Sequence, residues 1–220
     1  RALRCWTPEI LEEAIGSLRD DTRFDEFNRV NHIRGQSGRG KRYVTDPGER
    51  RSSILESIIR WPVGKWIQFE EAWRFLLASG NDFLLTSEAV TLYFEEQQYG
   101  HLGATERILP RIYLRVFLME SLATLGIIDI AYCYPHGLWP DLEDRWGTDE
   151  MDFCSRYDGL LYVRLNALGA YYPHLVSNTL NVDNAHFDEG AAIAISKVRT
   201  IAAYSYRVSL GARLSYPHPD

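Results

Sequence analysis

Cysteine is sparse in this sequence, and what there is does not pair. Cys5, Cys133 and Cys154 are odd in number, widely spaced and form no CxxC motif. That disfavours a disulfide framework and makes a reducing, cytoplasmic setting the natural expectation. The absence of any Asn-x-Ser/Thr sequon agrees with it. Long apolar runs are missing too. The nearest candidate, Ile108 to Met119, is interrupted by Pro110, Arg111 and Arg115, well short of the roughly 18 residues a membrane span needs, so no membrane partner is expected. No signal-like apolar segment follows Arg1, and a start at arginine points to a fragment of a longer protein. Catalytic signatures are lacking as well: there is no HExxH, no GxSxG and no cysteine cluster at zinc spacing. Cys133 and His136 make a lone CxxH that even with Cys154 has no evident fourth ligand, so no metal, no cofactor and no enzyme activity is expected. Nor is there an excess of positive charge. The net charge of −6 argues against a general polyanion binder, though not against a local basic face.

Aromatic residues, by contrast, are plentiful. Six Trp, thirteen Tyr and nine Phe, within a composition that is 45% hydrophobic, predict a packed core and argue against disorder. A length of 220 residues accommodates one large domain or two small ones.

The first helix is well marked. Thr7 is placed to cap it, Pro8 suits its first position, Glu9 favours the positive end of the dipole, and Trp6 can staple onto Leu11. Ile10, Leu11, Ala14 and Leu18 form its expected apolar face. A polar turn at 20–22 precedes a second short helix over Phe24–His32. The pattern then recurs: Ile10-Leu11-Glu12 matches Ile54-Leu55-Glu56, and Phe24-Asp25-Glu26 matches Phe69-Glu70-Glu71. Offsets of 44 and 45 residues suggest a helix–strand–helix unit present twice. In the second copy Trp61-Pro62 ends a helix and Trp66-Ile67 forms a short extended segment. Further on, Thr86-Ser87 opens an expected helix through Gln98. A longer one runs from about Arg111 to Leu125, with Ile112, Val116, Met119 and Ala123 inward and Gly126 as its stop. Strands are expected at 127–132 and 160–165, and Asn166 caps a following helix. In the C-terminal stretch, 191–204 suits a helix and Arg207–Leu210 a short strand.

These residues resemble the winged-helix superfamily. A helix ends in Leu125-Gly126-Ile127-Ile128 and passes into a strand; an intervening wing then leads to Tyr162-Val163-Arg164-Leu165-Asn166-Ala167-Leu168-Gly169. Asn166 stands where the family usually has Thr, an equivalent cap. The resemblance covers roughly 107–172 well and the earlier units less well. It implies an α+β, helix-dominated fold of tandem winged-helix-like units with small two-stranded sheets. The wing, 133–159, is far longer than usual. The expected divisions are 1–48, a first unit with a Gly-rich basic loop; 49–100, a second unit; 101–176, a unit with an acidic wing insertion; and 177–220, an extension.

Three stretches are candidate contact sites. From Asn28 to Arg51 there are seven basic residues (Arg29, Arg34, Arg39, Lys41, Arg42, Arg50, Arg51) against two acidic ones, a local balance of +5. Within it, Arg34, Arg39, Lys41 and Arg42 can follow phosphates and Tyr43 can stack, or the loop is a solvated linker. Gly35, Gly40 and Lys41 nearly spell a phosphate-binding loop, but Arg42 replaces the magnesium-holding hydroxyl. With no buried strand expected before it and Pro47 expected to block the following helix, nucleotide hydrolysis is excluded. Arg107, Arg111 and Arg115 form one helical stripe, facing phosphates, an acidic partner or solvent. The third stretch, 141–152, carries six acids against one arginine, a balance of −5. Trp139, Asp141, Glu143, Asp144 and Trp146 would meet a protein partner there, or the segment folds back on its own module. The leading expectation is a non-enzymatic DNA-binding module of a larger bacterial-type DNA-processing or defence assembly. The rival is a protein–protein scaffold of tandem winged helices without DNA contact.

Overall fold

The computed structural model describes residues 8–35, 44–88, 92–94, 101–102, 107–137, 142, 148 and 151–170. Helices and small antiparallel sheets alternate in it, giving a mixed α+β architecture. In chain order α1 is Pro8–Asp20, then comes a 3-10 turn Glu26–Arg29, β1 Ile33–Gly35, α2 Pro47–Ile58, β2 Ile67–Gln68 and α3 Phe69–Ala78. There follow β3 Leu92–Phe94, β4 His101–Leu102, α4 Ile108–Phe117, a π-helical turn Leu118–Leu122, β5 Ile128–Tyr132 and β6 Leu160–Leu165.

Each sheet holds three strands, not the two expected. One has the order β1-β3-β4 and the other β2-β6-β5, antiparallel throughout. In the second sheet Ile67 lies opposite Val163, which in turn lies opposite Ile130. Side chains alternate across a strand, so these residues share the inner face and their neighbours Gln68, Tyr162 and Ala131 the outer one. A strand in the stretch 49–100 is thus completed by one in the stretch 101–176, and a single apolar cluster joins Ile15 and Phe27 to Val163 and Leu165.

Several elements differ from expectation for identifiable reasons. α1 turns Ile15 into the core and packs Leu18 against it while Ile10 faces solvent, because α1 meets α2 along its Ile15 side. The segment from Phe24 folds as a 3-10 turn followed by a strand. Asp25 caps the turn, accepting from the Phe27 N–H at 2.9 Å, and Val30 leaves it in extended conformation. The two matched motifs therefore do not build the same unit: α2–β2–α3 is helix–strand–helix, whereas the first copy is helix, 3-10 turn, strand. Phe69 is buried but Phe24 is exposed, and Asp25 and Glu26 turn inward. No helix opens at Thr86-Ser87; Leu92 and Phe94 are both buried as alternate residues of β3, and that period of two overrides the polar start. Pro47 does not block a helix but begins one. Asp46 caps α2 by accepting from the Gly48 and Glu49 N–H groups, and proline's missing donor costs nothing at that position. A strand, β1, with Ile33 and Gly35 buried, also precedes the Gly-rich loop, although α2 starts six residues past Lys41.

β5 and β6 match the expected strands closely. Asn166 accepts from the Gly169 N–H at 3.0 Å, as a cap should, and its amide reaches the Gly126 carbonyl at 2.8 Å. The stop at Gly126 is real, with φ at +74°. The C-terminal helix and strand expected at 191–204 and 207–210 lie outside the described residues, as do Thr7 and Trp6 at the start of α1. No helix among the described residues is long and apolar enough to cross a membrane.

Candidate functional site

The centre of the molecule holds a charge cluster that sequence reasoning missed. Glu26 and Arg51 are both wholly buried and paired at 3.0 Å. Arg51 also donates to the carbonyls of Leu18 (2.7 Å), Asp21 (2.6 Å) and Phe24 (2.6 Å), so its fork ties down the whole turn after α1. Glu26 in turn accepts from Tyr113 Oη at 2.9 Å and from Ser121 Oγ at 2.8 Å, drawing α4 and the π turn into the same network. Next to it Arg50 pairs with Asp25 at 2.8 Å, donates to the Thr45 carbonyl and lies 4.4 Å from the Tyr113 ring centroid. Burial opposes the charge on Arg51, but Glu26 more than offsets it and its proton is held more tightly than usual. Burial and the nearby Glu26 carboxylate push the Tyr113 phenol far above its ordinary range. With Glu26 and Arg51 wholly buried and fully partnered, this cluster organises the fold. A pair of adjacent acids, 25 and 26, and a pair of adjacent bases, 50 and 51, was the available clue. Counting the bases as loop charge concealed it, because Asp25 and Glu26 fall just outside the counted window and neutralise Arg50 and Arg51.

The expected contact residues are dispersed. Arg34 is exposed on β1, while Arg39, Lys41, Arg42 and Tyr43 lie outside the described residues. Arg107 is exposed at the start of α4. Arg111 and Arg115 do not continue it as a solvated stripe: both reach Glu70 on α3, at 2.5 and 3.2 Å, and Arg115 is buried over the Phe69 ring, 3.8 Å from its centroid. Their charge is therefore used inside the fold and is not offered to phosphates. The reason is that α4 is enclosed on all sides, with Ile108 to Leu118 buried apart from half-buried Arg111. Trp139, Asp141, Glu143, Asp144 and Trp146 lie outside the described residues. Their described neighbours Leu142, Thr148 and Met151 are buried, and Thr148 Oγ1 donates to the Leu142 carbonyl at 2.9 Å.

Where the insertion returns to β6, polar groups are closely tied. Asp158 accepts from the Cys154 and Ser155 N–H groups, each at 2.9 Å, and from Ser155 Oγ at 3.0 Å. Burial nevertheless raises its pKa above the usual carboxylate value, and burial likewise pushes the Cys154 thiol up. Tyr157 donates to Glu120 of the π turn, which also pairs with Arg156 at 3.0 Å. Adjacent residues of that turn thus serve opposite neighbours, Glu120 the insertion and Ser121 the buried cluster.

The outer face of the β2-β6-β5 sheet is the exposed feature that sequence reasoning also missed. Tyr162 stands at its centre between Gln68 and Ala131, and Arg164 pairs with Asp129 at 2.6 Å while lying 4.6 Å from the Trp66 ring centroid. Trp66, Tyr132, Tyr134, Leu161 and Tyr162 are all exposed large hydrophobic residues. The turn before β2 adds Ile59 and Val63, and it is fixed against the sheet by the Gly64 N–H donating to the Leu165 carbonyl at 2.8 Å. Single exposed apolar residues are ordinary, but Trp66 and Tyr162 stand together on the outer face beside Arg164, and an aromatic grouping of that kind marks a contact surface. Compared with known proteins, the chain matches no family model, no curated protein and no solved structure.

Proposed function

We propose that this chain is a non-enzymatic protein-docking module, a scaffold element of a larger assembly, built around one winged-helix-like unit from α2 to β6. The order α2, β2, α3, then β3 and β4 of the other sheet, then α4, the π turn, β5 and β6, with β2 joined to β6, supports a single unit in place of a tandem. One observation carries the docking reading. In helix-turn-helix DNA binders the second helix of the pair lies in the major groove. Here the corresponding helix, α4, is buried and its arginines are held by Glu70, while the outer sheet face presents Trp66 and Tyr162 to solvent. Aromatic side chains of this kind are the common anchors of protein interfaces.

A second reading, contact with duplex DNA, draws support from Arg34, exposed on β1 where the chain enters the loop carrying Arg39, Lys41 and Arg42. Fluorescence anisotropy with labelled duplex across a salt series separates the two. The docking reading expects no binding at low salt. Binding that falls steeply with salt and weakens in Arg39→Ala/Lys41→Ala/Arg42→Ala would overturn it in favour of DNA.

A further inference from the structure

The turn between α2 and β2 is locally basic in a chain that is acidic as a whole. From Ile59 to Gln68 there is no carboxylate, but there are two cations, Arg60 and Lys65, both exposed. Neither enters an ion pair among the described residues. Three nearby carboxylates are engaged elsewhere, Glu70 by Arg111 and Arg115, Glu71 by Arg74 and Asp129 by Arg164, while Glu56, exposed four residues before Arg60 on α2, forms no ion pair with it. The same turn exposes apolar groups beside those cations, Val63 at 54% and Trp66 at 47%. The hydrogen bond from Gly64 to Leu165 and the stacking of Arg164 on Trp66 hold the turn at the edge of the face that carries Tyr162.

We infer that this surface takes an acidic peptide segment of a partner protein, whose aromatic or aliphatic side chains lie on Val63, Trp66 and Tyr162 while its carboxylates meet Arg60 and Lys65. This rests on the docking reading and names the chemistry of its partner. The charge complementarity is local: in a chain of net charge −6, a carboxylate-free stretch with two solvent-facing cations is one that an acidic segment can approach. Paired internally, Arg164 and Asp129 contribute a neutral floor. The apolar groups supply affinity and the two cations select the sign of the partner and speed its approach.

The test uses three labelled peptides of equal length and identical tryptophan and leucine content, with the remaining positions acidic, neutral or basic. Each is titrated with the full chain by fluorescence anisotropy at low and high salt. The acidic peptide is expected to bind at least about tenfold more tightly than the neutral one, and to lose that advantage in high salt or in Arg60→Gln/Lys65→Gln. Both substituted side chains are exposed, so the variant's circular dichroism and melting curve should match the parent's. Equal binding of acidic and neutral peptides, abolished by Trp66→Ser/Tyr162→Ser, would overturn the acidic-partner inference and leave the docking face standing. Failure to bind the acidic peptide at low salt also overturns the inference. The docking reading is then decided separately, by the duplex titration above.

Discussion

Glu26 and Arg51 meet at 3.0 Å with neither side chain reaching solvent, and the rest of the fold is arranged around that pair. A buried ion pair of this kind is costly to assemble but far more costly to break, because the remaining partner keeps its charge with no water to receive it. Glu26→Leu or Arg51→Met alone is therefore expected to destabilise the protein by about 3–5 kcal/mol. Glu26→Leu/Arg51→Met together should lose less than the sum of the single changes. Tyr113 and Ser121 donate to Glu26, and the carbonyls of Leu18, Asp21 and Phe24 accept from Arg51, so the double variant still leaves unanswered polar groups and should not reach parental stability. Urea unfolding of the four proteins measures the coupling. Strict additivity would show that the pair does not act as a unit.

Two glycines mark places where backbone passes backbone. A Cβ on Gly159 would stand 1.9 Å from the Cys133 carbonyl oxygen, and one on Gly169 2.2 Å from that of Ile127. Neither oxygen can move without breaking the strand or turn it belongs to. Gly159→Ala and Gly169→Ala should each cost about 3 kcal/mol, or prevent folding at 37 °C. Gly64→Ala is the contrast. Its φ is +76° but nothing lies near the added methyl, so the cost is the backbone term alone, about 1 kcal/mol. Thermal melts that ranked Gly64→Ala with the other two would contradict these close approaches.

What could be read from the chain alone divides along the range of the interactions involved. β6 was legible to the residue, because a run of alternating apolar positions ending at a capping Asn166 is a local pattern. The α2–β2–α3 succession was legible for the same reason. The pairing of β2 with β6 was not, since nothing in Ile67-Gln68 names a partner almost a hundred residues away. Burial of charge was invisible too. Arg50, Arg51 and Arg115 each have the composition of a surface residue, and only the opposing carboxylates of Asp25, Glu26 and Glu70 bring them inward. Likewise the 3.6-residue spacing of Ile112 and Val116 shows one inward face of α4 but not that its other faces are covered. The aromatic outer face went unnoticed because Trp66 and Tyr162 become neighbours only through that same distant strand pairing.

The tyrosines set the alkaline limit of stability. Burial, with the hydrogen bond to Glu120, pushes Tyr157 up to about 12, and Tyr113 lies higher still because it is buried beside Glu26. An acid whose pKa is higher in the folded chain ionises first in the unfolded one. The protein should therefore begin to lose stability near pH 9, where the thiol of unfolded Cys154 ionises, and lose it more steeply above about pH 10, the ordinary phenol value. Denaturant midpoints measured from pH 8 to pH 11.5 should fall along this course. Tyr157→Phe and Tyr113→Phe should each flatten the decline, although Tyr113→Phe also removes a donor from Glu26 and lowers the unfolding free energy at neutral pH by about 1 kcal/mol. A midpoint that rises with pH above 10 would contradict the assignment.

The helix α4 offers the sharpest separation between a structural arginine and a binding one. Arg107 is exposed at its start, whereas Arg115 is buried over Phe69 and against Glu70. Arg115→Ala removes a cation from an aromatic face and an ion pair at once, and should cost about 2 kcal/mol of stability. Arg115→Lys should recover little, since an ammonium cannot lie flat on Phe69 while reaching Glu70. Arg107→Ala should leave the melting temperature unchanged within error. If Arg115→Ala instead kept full stability and altered a binding signal, α4 would have a surface that its burial denies it, and the docking proposal for the outer sheet face would fail.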